Sequence, residues 1–483
     1  MKNNTKLSTG INGLDEILNG GLNPRRFYLL RGGAGTGKTT LGLQFLDQGI
    51  KNNEKVLLIT LVEPLAKIIE DGKQFGLELD EINSIDLSPQ SDFIENNGDY
   101  DIFPSSEVEQ QPIIEKLTSA VEKIKPDRIF LDGVTQLKYL ASDKFSFRKQ
   151  ILSLMSFVSK YNTTILLTSE IGKNNSDDDL RFLSDGIINL DYRDENHRIE
   201  VQKFRGSNFK KGLHSFKFEE QGIAVYPNLE MTVSNKKIKE GQISAGVAEI
   251  DKLLHGGLEK GTTTIITGHS GVGKTTLGTQ FSIQEAVKAK KAIIYTFEEN
   301  RHTLIKRSES IKMPIKKAVN SNNLLIKKIS PLEYTPGEFS YRVKEDVEKH
   351  KPSIVMIDSI SGYFLSFKDN SDNKKMRRRL HALNEFLKSS GINVILINEL
   401  ANITGDFEVT GYRTSYLSDN IIFLRFIEIE GKLKKAIGVL KKRMSDFENT
   451  MREFEISSSG IIVGKPLKRL RGILTGNPDI IEK

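Results

Sequence analysis

The chain contains no cysteine and no tryptophan, and it has only seven histidines. The absence of cysteine excludes disulfide frameworks, thiolate zinc sites, iron–sulfur clusters and cysteine nucleophiles. The histidines are scattered without metal-ligand spacing. There is no run of about 18 apolar residues that would span a membrane, the mean hydropathy is −0.34, and the first residues lack the apolar region of a secretion signal. We therefore expect a cytoplasmic protein without a membrane span.

The charge balance is only mildly basic. Over 483 residues the formal net charge is +7, with 37% hydrophobic and 28% charged residues. This composition is typical of a folded, water-soluble protein. A sequence pI near 9.0 leaves nucleic-acid binding open but does not by itself indicate it. The length predicts two large domains or three smaller ones.

The sequence contains an internal repeat. The segment Ser8-Thr-Gly-Ile-Asn-Gly-Leu-Asp15 reappears as Ser244-Ala-Gly-Val-Ala-Glu-Ile-Asp251, and the same offset of 236 positions relates Lys38 to Lys274. An ungapped correspondence over more than fifty residues indicates two copies of one domain. A polar, lysine-rich stretch from Asn228 to Gln242 has the composition of a linker between them.

Each copy alternates short apolar runs with helical segments. These runs predict strands at Phe27–Arg31, Val56–Leu61, Ile129–Leu131, Thr164–Thr168 and Ile187–Leu190 in the first copy, and at Thr264–Thr267, Ala292–Phe297, Ile354–Ile357, Val394–Ile397 and Ile421–Leu424 in the second. Solid apolar strands between helices indicate an α/β fold with a mostly parallel sheet covered on both faces. We predict domains at residues 1–233 and 234–464, followed by a tail at 465–483.

A glycine-rich motif lies between the first strand and the first long helix of each copy. The P-loop pattern G-x-x-x-x-G-K-[ST] occurs twice, as Gly32-Gly-Ala-Gly-Thr-Gly-Lys-Thr39 and as Gly268-His-Ser-Gly-Val-Gly-Lys-Thr275. Its glycines let backbone N–H groups converge on phosphates, its lysine reaches the β- and γ-phosphates, and its threonine hydroxyl ligates Mg²⁺. The predicted nucleotide-binding residues are Gly35, Thr36, Gly37, Lys38, Thr39 and Thr40 in the first copy, and Gly271, Val272, Gly273, Lys274, Thr275 and Thr276 in the second.

An aspartate ends the third predicted strand of each copy. Asp132 and Asp358 each follow an apolar run that begins after a proline. Doubly wound sheets bind ligands at the carboxyl ends of their strands. We therefore predict that these aspartates, the Walker-B carboxylates, complete the Mg²⁺ shell with Thr39 and Thr275. An aspartate there also caps turns, but its occurrence in both copies favours the metal role.

Water attack on a γ-phosphate needs a group that orients or deprotonates the water. The second predicted strand of the second copy ends in Thr296-Phe-Glu298-Glu299, whereas the first copy has Thr60-Leu-Val62-Glu63. We predict catalytic roles for Glu298, Glu299 and Glu63. The alternative interpretation of each glutamate is a solvated or helix-capping side chain, and it applies most strongly to Glu63.

Together these motifs resemble the KaiC family, double-domain RecA-type ATPases that include those of the bacterial circadian clock. The resemblance covers almost the whole chain, from the Ser-x-Gly-x-x-x-x-Asp lead-in to the closing segment Leu470–Pro478. It implies two tandem P-loop NTPase (RecA-like) domains in a homohexameric double ring that binds Mg²⁺ and ATP between subunits. It also implies an N-terminal ATPase, a C-terminal Ser/Thr autokinase, and KaiA-like or KaiB-like regulators as partners.

The resemblance also implies that cations reach the nucleotide of the adjacent subunit. Lys203-Phe-Arg205-Gly-Ser207 matches the family's Lys-x-Arg-Gly-Thr/Ser segment, and Lys441-Lys-Arg443-Met-Ser445 is its second copy, with methionine replacing glycine. Cations so placed stabilise transition-state charge as arginine fingers do. From the residues alone, basic side chains at a strand end in solvent remain the alternative.

The family's phosphate acceptors lie just before a Ser/Thr-Asp that opens a strand. In the second copy this position holds Ser415 and Tyr416, where the family has Ser-Thr, and the first copy has Arg181 and Phe182. The resemblance implies phosphorylation of Ser415, with Glu298 as the base. A tyrosine hydroxyl lies farther from its Cα than a threonine hydroxyl does, so Thr414 or Thr410 is an alternative second acceptor.

The valine at position 62 leads to a hypothesis about the two copies. The first would mainly bind ATP to hold the hexamer, with slow turnover, and the second would perform most of the chemistry.

Two other classes of function remain possible. The basic run Lys374-Lys-Met-Arg-Arg-Arg379 is compatible with a RecA-type DNA-dependent ATPase of recombination or repair. It equally fits an exposed helix face, and no aromatic stacking tract accompanies it, so nucleic-acid binding is not expected. The other alternative is an ATP-binding scaffold without kinase activity.

Overall fold

The computed structural model describes residues 6–91, 106–141, 143–171, 177–193, 195–230, 240–330, 333–365, 373–400, 415–429, 431–467, 470–471 and 479–480. The chain forms two compact units, Met1–Asn228 and Leu229–Lys483, which we refer to as domain one and domain two. Within the linker expected from the sequence, residues 231–239 lie outside the described residues.

Domain one contains nine strands and, among its described residues, seven helices. Its strands are β1 (Phe27–Gly32), β2 (Val56–Thr60), β3 (Asn83–Asp86), β4 (Arg128–Asp132), β5 (Thr164–Glu170), β6 (Gly186–Arg193), β7 (Asn196–Phe204), β8 (His214–Glu219) and β9 (Gly222–Tyr226). Its helices are α1 (Asn12–Ile17), α2 (Lys38–Lys51), α3 (Leu65–Gln74), α4 (Ser106–Ile124), α5 (Thr135–Leu140), α6 (Lys144–Ser159) and α7 (Asp178–Leu183).

Domain two repeats this order and adds short strand pairs. Its strands are β10 (Gln242–Ile243), β11 (Leu258–Glu259), β12 (Thr263–Gly268), β13 (Ala292–Thr296), β14 (Leu324–Lys328), β15 (Ile354–Asp358), β16 (Asn393–Glu399), β17 (Asn420–Ile429), β18 (Lys432–Lys442), β19 (Arg452–Ser457), β20 (Gly460–Pro466), β21 (Leu470–Arg471) and β22 (Asp479–Ile480). Its described helices are α8 (Ala248–Leu253), α9 (Lys274–Val287), α10 (Arg301–Ser310), α11 (Ile315–Asn320), α12 (Pro336–His350), α13 (Ile360–Leu365), α14 (Asn373–Ser389) and a 3₁₀ turn (Ser415–Leu417).

Both large sheets have the same strand order. In domain one it is β3-β2-β4-β5-β1-β6-β7-β8-β9, and in domain two it is β14-β13-β15-β16-β12-β17-β18-β19-β20. The first six strands of each order run parallel, and the last three run antiparallel. The predicted mostly parallel α/β fold is thus confirmed, and every predicted strand is present with ends shifted by a few residues.

Helices pack on both faces of each sheet because side chains alternate along the strands. In β1, Tyr28 and Leu30 pack with Leu41 and Phe45 of α2 in one core cluster. The intervening Phe27 and Leu29 pack in a second cluster with residues of α4 and α6. Domain two has the same two-sided core. This construction buries the strands and leaves their carboxyl ends, where the P-loops start, at one edge of each sheet.

The repeated Ser-x-Gly-x-x-x-x-Asp segment has a structural role. The Ser8 hydroxyl and the Thr9 N–H donate hydrogen bonds of 2.6 and 2.8 Å to the Asp15 carboxylate. In domain two the Ser244 hydroxyl donates one of 2.5 Å to Asp251. The aspartate thereby fixes the turn that leads into each domain.

Candidate functional site

In each domain the P-loop leaves the central strand and enters a long helix. Gly37 precedes α2 with φ 90°, and Gly273 precedes α9 with φ 112°. This left-handed conformation favours glycine. Among the described residues no side chain caps either helix N-terminus, so the N–H groups of the first turn remain available to a phosphate. Gly35 and Gly271 line the open side of the loop, where an added Cβ would meet no atom within 4 Å.

The P-loop lysines fold back over their own loops. Lys38 donates from Nζ to the carbonyls of Gly32 and Gly33 at 3.1 and 2.8 Å, and Lys274 donates to the carbonyl of His269 at 2.7 Å. Burial lowers the pKa of both ammonium groups, and nearby carboxylates oppose that shift. Each lysine is thus a desolvated cation next to the position that a phosphate would occupy.

The strand-end aspartates lie beside the P-loop threonines. The Thr39 hydroxyl donates to Asp132 Oδ2 at 2.7 Å, and the Thr168 hydroxyl donates to Asp132 Oδ1 at 2.5 Å. In domain two Asp358 accepts a hydrogen bond from Thr275. A hydroxyl and a buried carboxylate are oxygen donors that suit Mg²⁺, which takes its other ligands from water and substrate phosphates. These residues therefore fit Mg²⁺, although the described residues contain no all-protein cluster of three metal-ligating side chains.

Burial also shapes the charge of these aspartates. Burial, reinforced by the charge of Glu298, raises the pKa of Asp358 to about 6. Burial likewise raises the pKa of Asp132. A bound cation stabilises most strongly a carboxylate that burial makes costly to ionise.

Domain two encloses a cavity of about 750 Å³ around its P-loop, a volume typical of small-molecule sites. Two of its cations lie outside any motif used in the sequence analysis: Arg307 of α10 and Lys435 of β18, whose Nζ donates to the Gly271 carbonyl at 3.1 Å. The lining residues that were predicted from the sequence are Gly271, Gly273, Lys274, Thr275, Thr276, Glu298, Glu299 and Asp358.

The two glutamates after β13 have different partners. Glu298 accepts a hydrogen bond of 2.9 Å from the Ser359 hydroxyl and raises the pKa of the neighbouring Asp358. Glu299 forms an ion pair of 3.0 Å with Arg307, and burial raises its pKa. Glu298 therefore faces the strand-end aspartate, whereas Glu299 holds a cation at the rim.

Domain one differs at these positions. Val62 lies against Gly133, where an added Cβ would come within 2.3 Å of Val62 Cγ2. Glu63 pairs with Lys67 at 3.3 Å, and its side chain is 44% exposed. At the positions that follow β2, domain one therefore has no carboxylate placed as Glu298 is in domain two.

A further carboxylate, missed by the sequence analysis, ends the strand beside each P-loop strand. Glu170 pairs with Gly32 across β5 and β1, and Glu399 pairs with Gly268 across β16 and β12. Glu399 lines the domain-two cavity. The signal that could have found these residues is their position directly after an apolar strand, since both predicted strands stopped two residues short.

The predicted trans cations lie at the opposite edge of the sheet. Lys203 pairs with Ile187 near the start of β6, and the Arg205 N–H donates to the Asp185 carbonyl beside the start of β1. At about 3.3 Å per residue, β1 separates that edge from the P-loop by roughly 16 Å. The Lys203 ammonium donates to the carbonyls of Arg181 and Phe182.

Domain two has the same layout. Lys441 Nζ donates to the Ser418 carbonyl at 2.6 Å, and Arg443 Nη1 lies 3.7 Å from Asp419 Oδ1. The candidate acceptors precede β17 at the same edge: Ser415 starts the 3₁₀ turn, and the half-exposed Tyr416 packs its ring edge-on to His381. Thr414 and Thr410 lie outside the described residues.

The remaining predicted residues have structural contacts. The Ser207 hydroxyl accepts a hydrogen bond of 2.7 Å from Lys6, Thr36 donates to the Gly33 carbonyl at 2.9 Å, and Val272 is wholly buried. The basic run Lys374–Arg379 lies on α14, which buries Met376 in the core. In the part of the chain that the structure describes, no helix has the length and apolarity needed to cross a bilayer.

Comparison with known proteins identifies the family. The family described as "ATPase: KaiC" matches residues 7–230 and again residues 243–468. Circadian clock protein KaiC3 of Synechocystis sp. is 28% identical over 98% of this chain and 94% of its own length. Circadian clock oscillator protein KaiC of Synechococcus elongatus is 27% identical over 98% of this chain and 92% of its own. With its duplicated RecA-like fold and paired P-loops, the chain belongs to the KaiC ATPase family.

Proposed function

We propose that this protein is a Mg²⁺-dependent ATPase that works as a homohexameric ring, with each nucleotide site completed by the neighbouring subunit. Domain two would in addition phosphorylate a hydroxyl of the adjacent subunit. The observation that supports this proposal most directly is the separation of the two halves of each site. The P-loop leaves one edge of the sheet, whereas the predicted trans cations lie at the other: Lys203, Arg205, Lys441 and Arg443.

Within one domain roughly 16 Å of strand lies between these cations and the P-loop, so we expect that they do not reach a ligand bound there. A second subunit whose opposite edge faced the P-loop would bring them to the γ-phosphate. There they would neutralise charge that develops during transfer, as arginine fingers do. The site would therefore be incomplete in a monomer, and nucleotide binding would favour assembly by mass action.

The residues of one chain would have distinct tasks. Lys38 and Lys274 would hold the β- and γ-phosphates, while Thr39 with Asp132 and Thr275 with Asp358 would hold Mg²⁺, which neutralises phosphate charge. Glu298 would accept the proton of the attacking group, and Glu299 would keep Arg307 at the rim of the cavity. Domain one, with Val62 in place of Glu298, would mainly bind ATP and turn it over slowly.

The edge that holds the cations of domain two also holds Ser415 and Tyr416. An acceptor there would face the nucleotide of the next subunit rather than its own. We therefore propose intersubunit autophosphorylation at Ser415, with Thr414 or Tyr416 as a second acceptor. Since the named relatives are circadian clock proteins, we propose a role in timing or signalling through KaiA-like or KaiB-like partners.

Mass spectrometry of the full chain incubated with Mg²⁺ and ATP tests the kinase proposal. We expect phosphate at Ser415 or an adjacent acceptor, and none in Lys274→Ala. To test the intersubunit route, Lys274→Ala is mixed with a Ser415→Ala, Thr414→Ala, Tyr416→Phe variant. Phosphate should then appear on the Lys274→Ala chains. Phosphate that appears only on chains with an intact domain-two P-loop would contradict the trans arrangement.

Size-exclusion chromatography with light scattering tests the assembly. We expect hexamers with ATP and Mg²⁺, and a shift towards smaller species in Lys38→Ala. A protein that stays monomeric with saturating ATP would refute a site shared between subunits.

A further inference from the structure

The residues that follow the second strand of domain one do not supply a carboxylate in the arrangement of Glu298. Val62 occupies the position that Glu298 holds in domain two, and Glu63 pairs with Lys67. Hydrolysis of a γ-phosphate nevertheless needs a group that orients or deprotonates the attacking water. The sheet order shows where another carboxylate comes from.

The strand β5 lies between the two strands that build the site. In the order β2-β4-β5-β1, β4 ends at Asp132 and β1 ends at the P-loop. Val62 follows β2, which is separated from β1 by two strands. Glu170, the last residue of β5, therefore lies on the strand directly beside β1, whereas Val62 follows a strand that two others separate from β1.

Register then fixes the face on which Glu170 projects. Thr168 and Glu170 lie two positions apart on β5, so their side chains share one face of the sheet. The Thr168 hydroxyl donates to Asp132 Oδ1 at 2.5 Å, which defines that face as the one towards the strand-end aspartate. Glu170 itself pairs with Gly32, the first residue of the P-loop, and its exposed side chain faces the open edge of the sheet.

The backbone at Glu170 is held on both sides. Its N–H donates to the Thr135 hydroxyl at 3.2 Å, and the next N–H, of Ile171, donates to the Gly32 carbonyl at 3.3 Å. Burial lowers the pKa of Lys38, and the negative charge of Glu170 is the largest effect that acts in the opposite direction. The matching Glu399 lines the domain-two cavity together with Lys274.

We propose that Glu170 is the hydrolytic carboxylate of domain one, supplied by the strand beside the P-loop in place of the glutamate that Val62 replaces. This rests on the proposed hydrolysis of ATP by domain one. The oxygen of water forms a bond to the γ-phosphorus while the bond to the β–γ bridging oxygen breaks, and ADP leaves with that electron pair. The water proton passes to Glu170 and then to solvent.

The test uses the full chain with Lys274→Ala, so that only domain one hydrolyses ATP. Release of labelled phosphate from [γ-³²P]ATP is followed over hours, and ATP affinity is measured separately by fluorescent-nucleotide displacement. We expect Glu170→Gln to lower the rate about 100-fold, the scale of a general base, without weakening ATP binding. The matched control Glu70→Gln, which changes an exposed glutamate of α3 in the same domain, should keep the parent rate.

The possible failures differ. An unchanged rate in Glu170→Gln, or a loss in Glu63→Gln instead, overturns the assignment of Glu170 while leaving the ATPase proposal intact. Absence of any hydrolysis in the Lys274→Ala parent also overturns the assignment. Hydrolysis that persists when Lys38→Ala is added to that parent overturns the ATPase proposal for domain one, and with it this inference.

Discussion

The hydroxyl of Ser359 donates a hydrogen bond of 2.9 Å to the carboxylate of Glu298. The corresponding positions of domain one hold Gly133 and Val62, which cannot form this bond. The bond holds Glu298 beside Asp358, and domain one has no carboxylate at the matching position. The two domains therefore share a fold but differ in the side chains that follow their second strand and their strand-end aspartate.

This difference predicts unequal effects for the paired glutamates of domain two. In a Lys38→Ala background, Glu298→Gln should lower phosphate release about 100-fold, because the amide cannot accept the proton. Glu299→Gln should cost less, since its carboxylate is engaged by Arg307 at 3.0 Å. If the Glu298→Gln, Glu299→Gln double variant keeps the steady-state ATPase rate of its Lys38→Ala parent, neither glutamate is the hydrolytic group of domain two.

The sequence predicted the parts of the site that depend on local spacing. The P-loops, Asp132 and Asp358 lie where the motifs require, because a strand, a tight glycine turn and a helix N-terminus follow one another in the chain. Glu170 and Glu399 were missed because both predicted strands stopped two residues short of them, and their place beside the P-loop depends in addition on strand order. Lys435 reaches the cavity from an antiparallel strand far away in sequence and Arg307 reaches it from α10, so only the folded chain brings these two cations together.

The pKa of about 6 at Asp358 predicts a pH-dependent affinity for Mg²⁺ in domain two. Because its folded-state pKa lies above that of a free aspartate, this carboxylate takes up a proton as the pH falls through about 6, and a proton competes with a metal ion. In a Lys38→Ala background, the Mg²⁺ concentration for half-maximal ATP-dependent stabilisation should rise about tenfold between pH 7 and pH 5, as expected for one competing proton.

Thermal unfolding with titrated Mg²⁺ at fixed ATP measures this shift. Asp358→Asn serves as the control, because ATP itself titrates in this range and that contribution remains in the variant. An equal pH dependence in the two proteins would show that Asp358 stays ionised throughout.

The packing of the two P-loop helices predicts a second difference between the domains, in how far their stability tolerates an added methyl group. A Cβ on Gly42 of α2 would lie 2.1–2.4 Å from ring atoms of the buried Phe130, whereas one on Gly278 of α9 would lie 2.9 Å from Met356 Sδ. A buried ring cannot move aside, so Gly42→Ala should destabilise domain one by about 1–3 kcal/mol. Gly278→Ala should change stability by less than about 1 kcal/mol, because methionine adapts and alanine favours the helix.

Hydrogen exchange during denaturant titration reports each domain separately. The pair of alanine variants is its own control, since both add one methyl group at the same place in the repeat. A larger loss in Gly278→Ala than in Gly42→Ala would contradict the packing argument.

Restoring a glutamate at position 62 should raise the turnover of domain one. The Val62 side chain is 39% exposed, so Val62→Glu places a carboxylate at the site without burying an unpaired charge. In a Lys274→Ala background we expect about a tenfold gain in phosphate release, which is less than the roughly 100-fold or more that a positioned base contributes where none is present. Val62→Gln matches the glutamate in length and polarity but cannot accept a proton, so it should show no gain. Equal rates in the glutamate and glutamine variants would mean that the residue after the second strand does not limit hydrolysis in domain one.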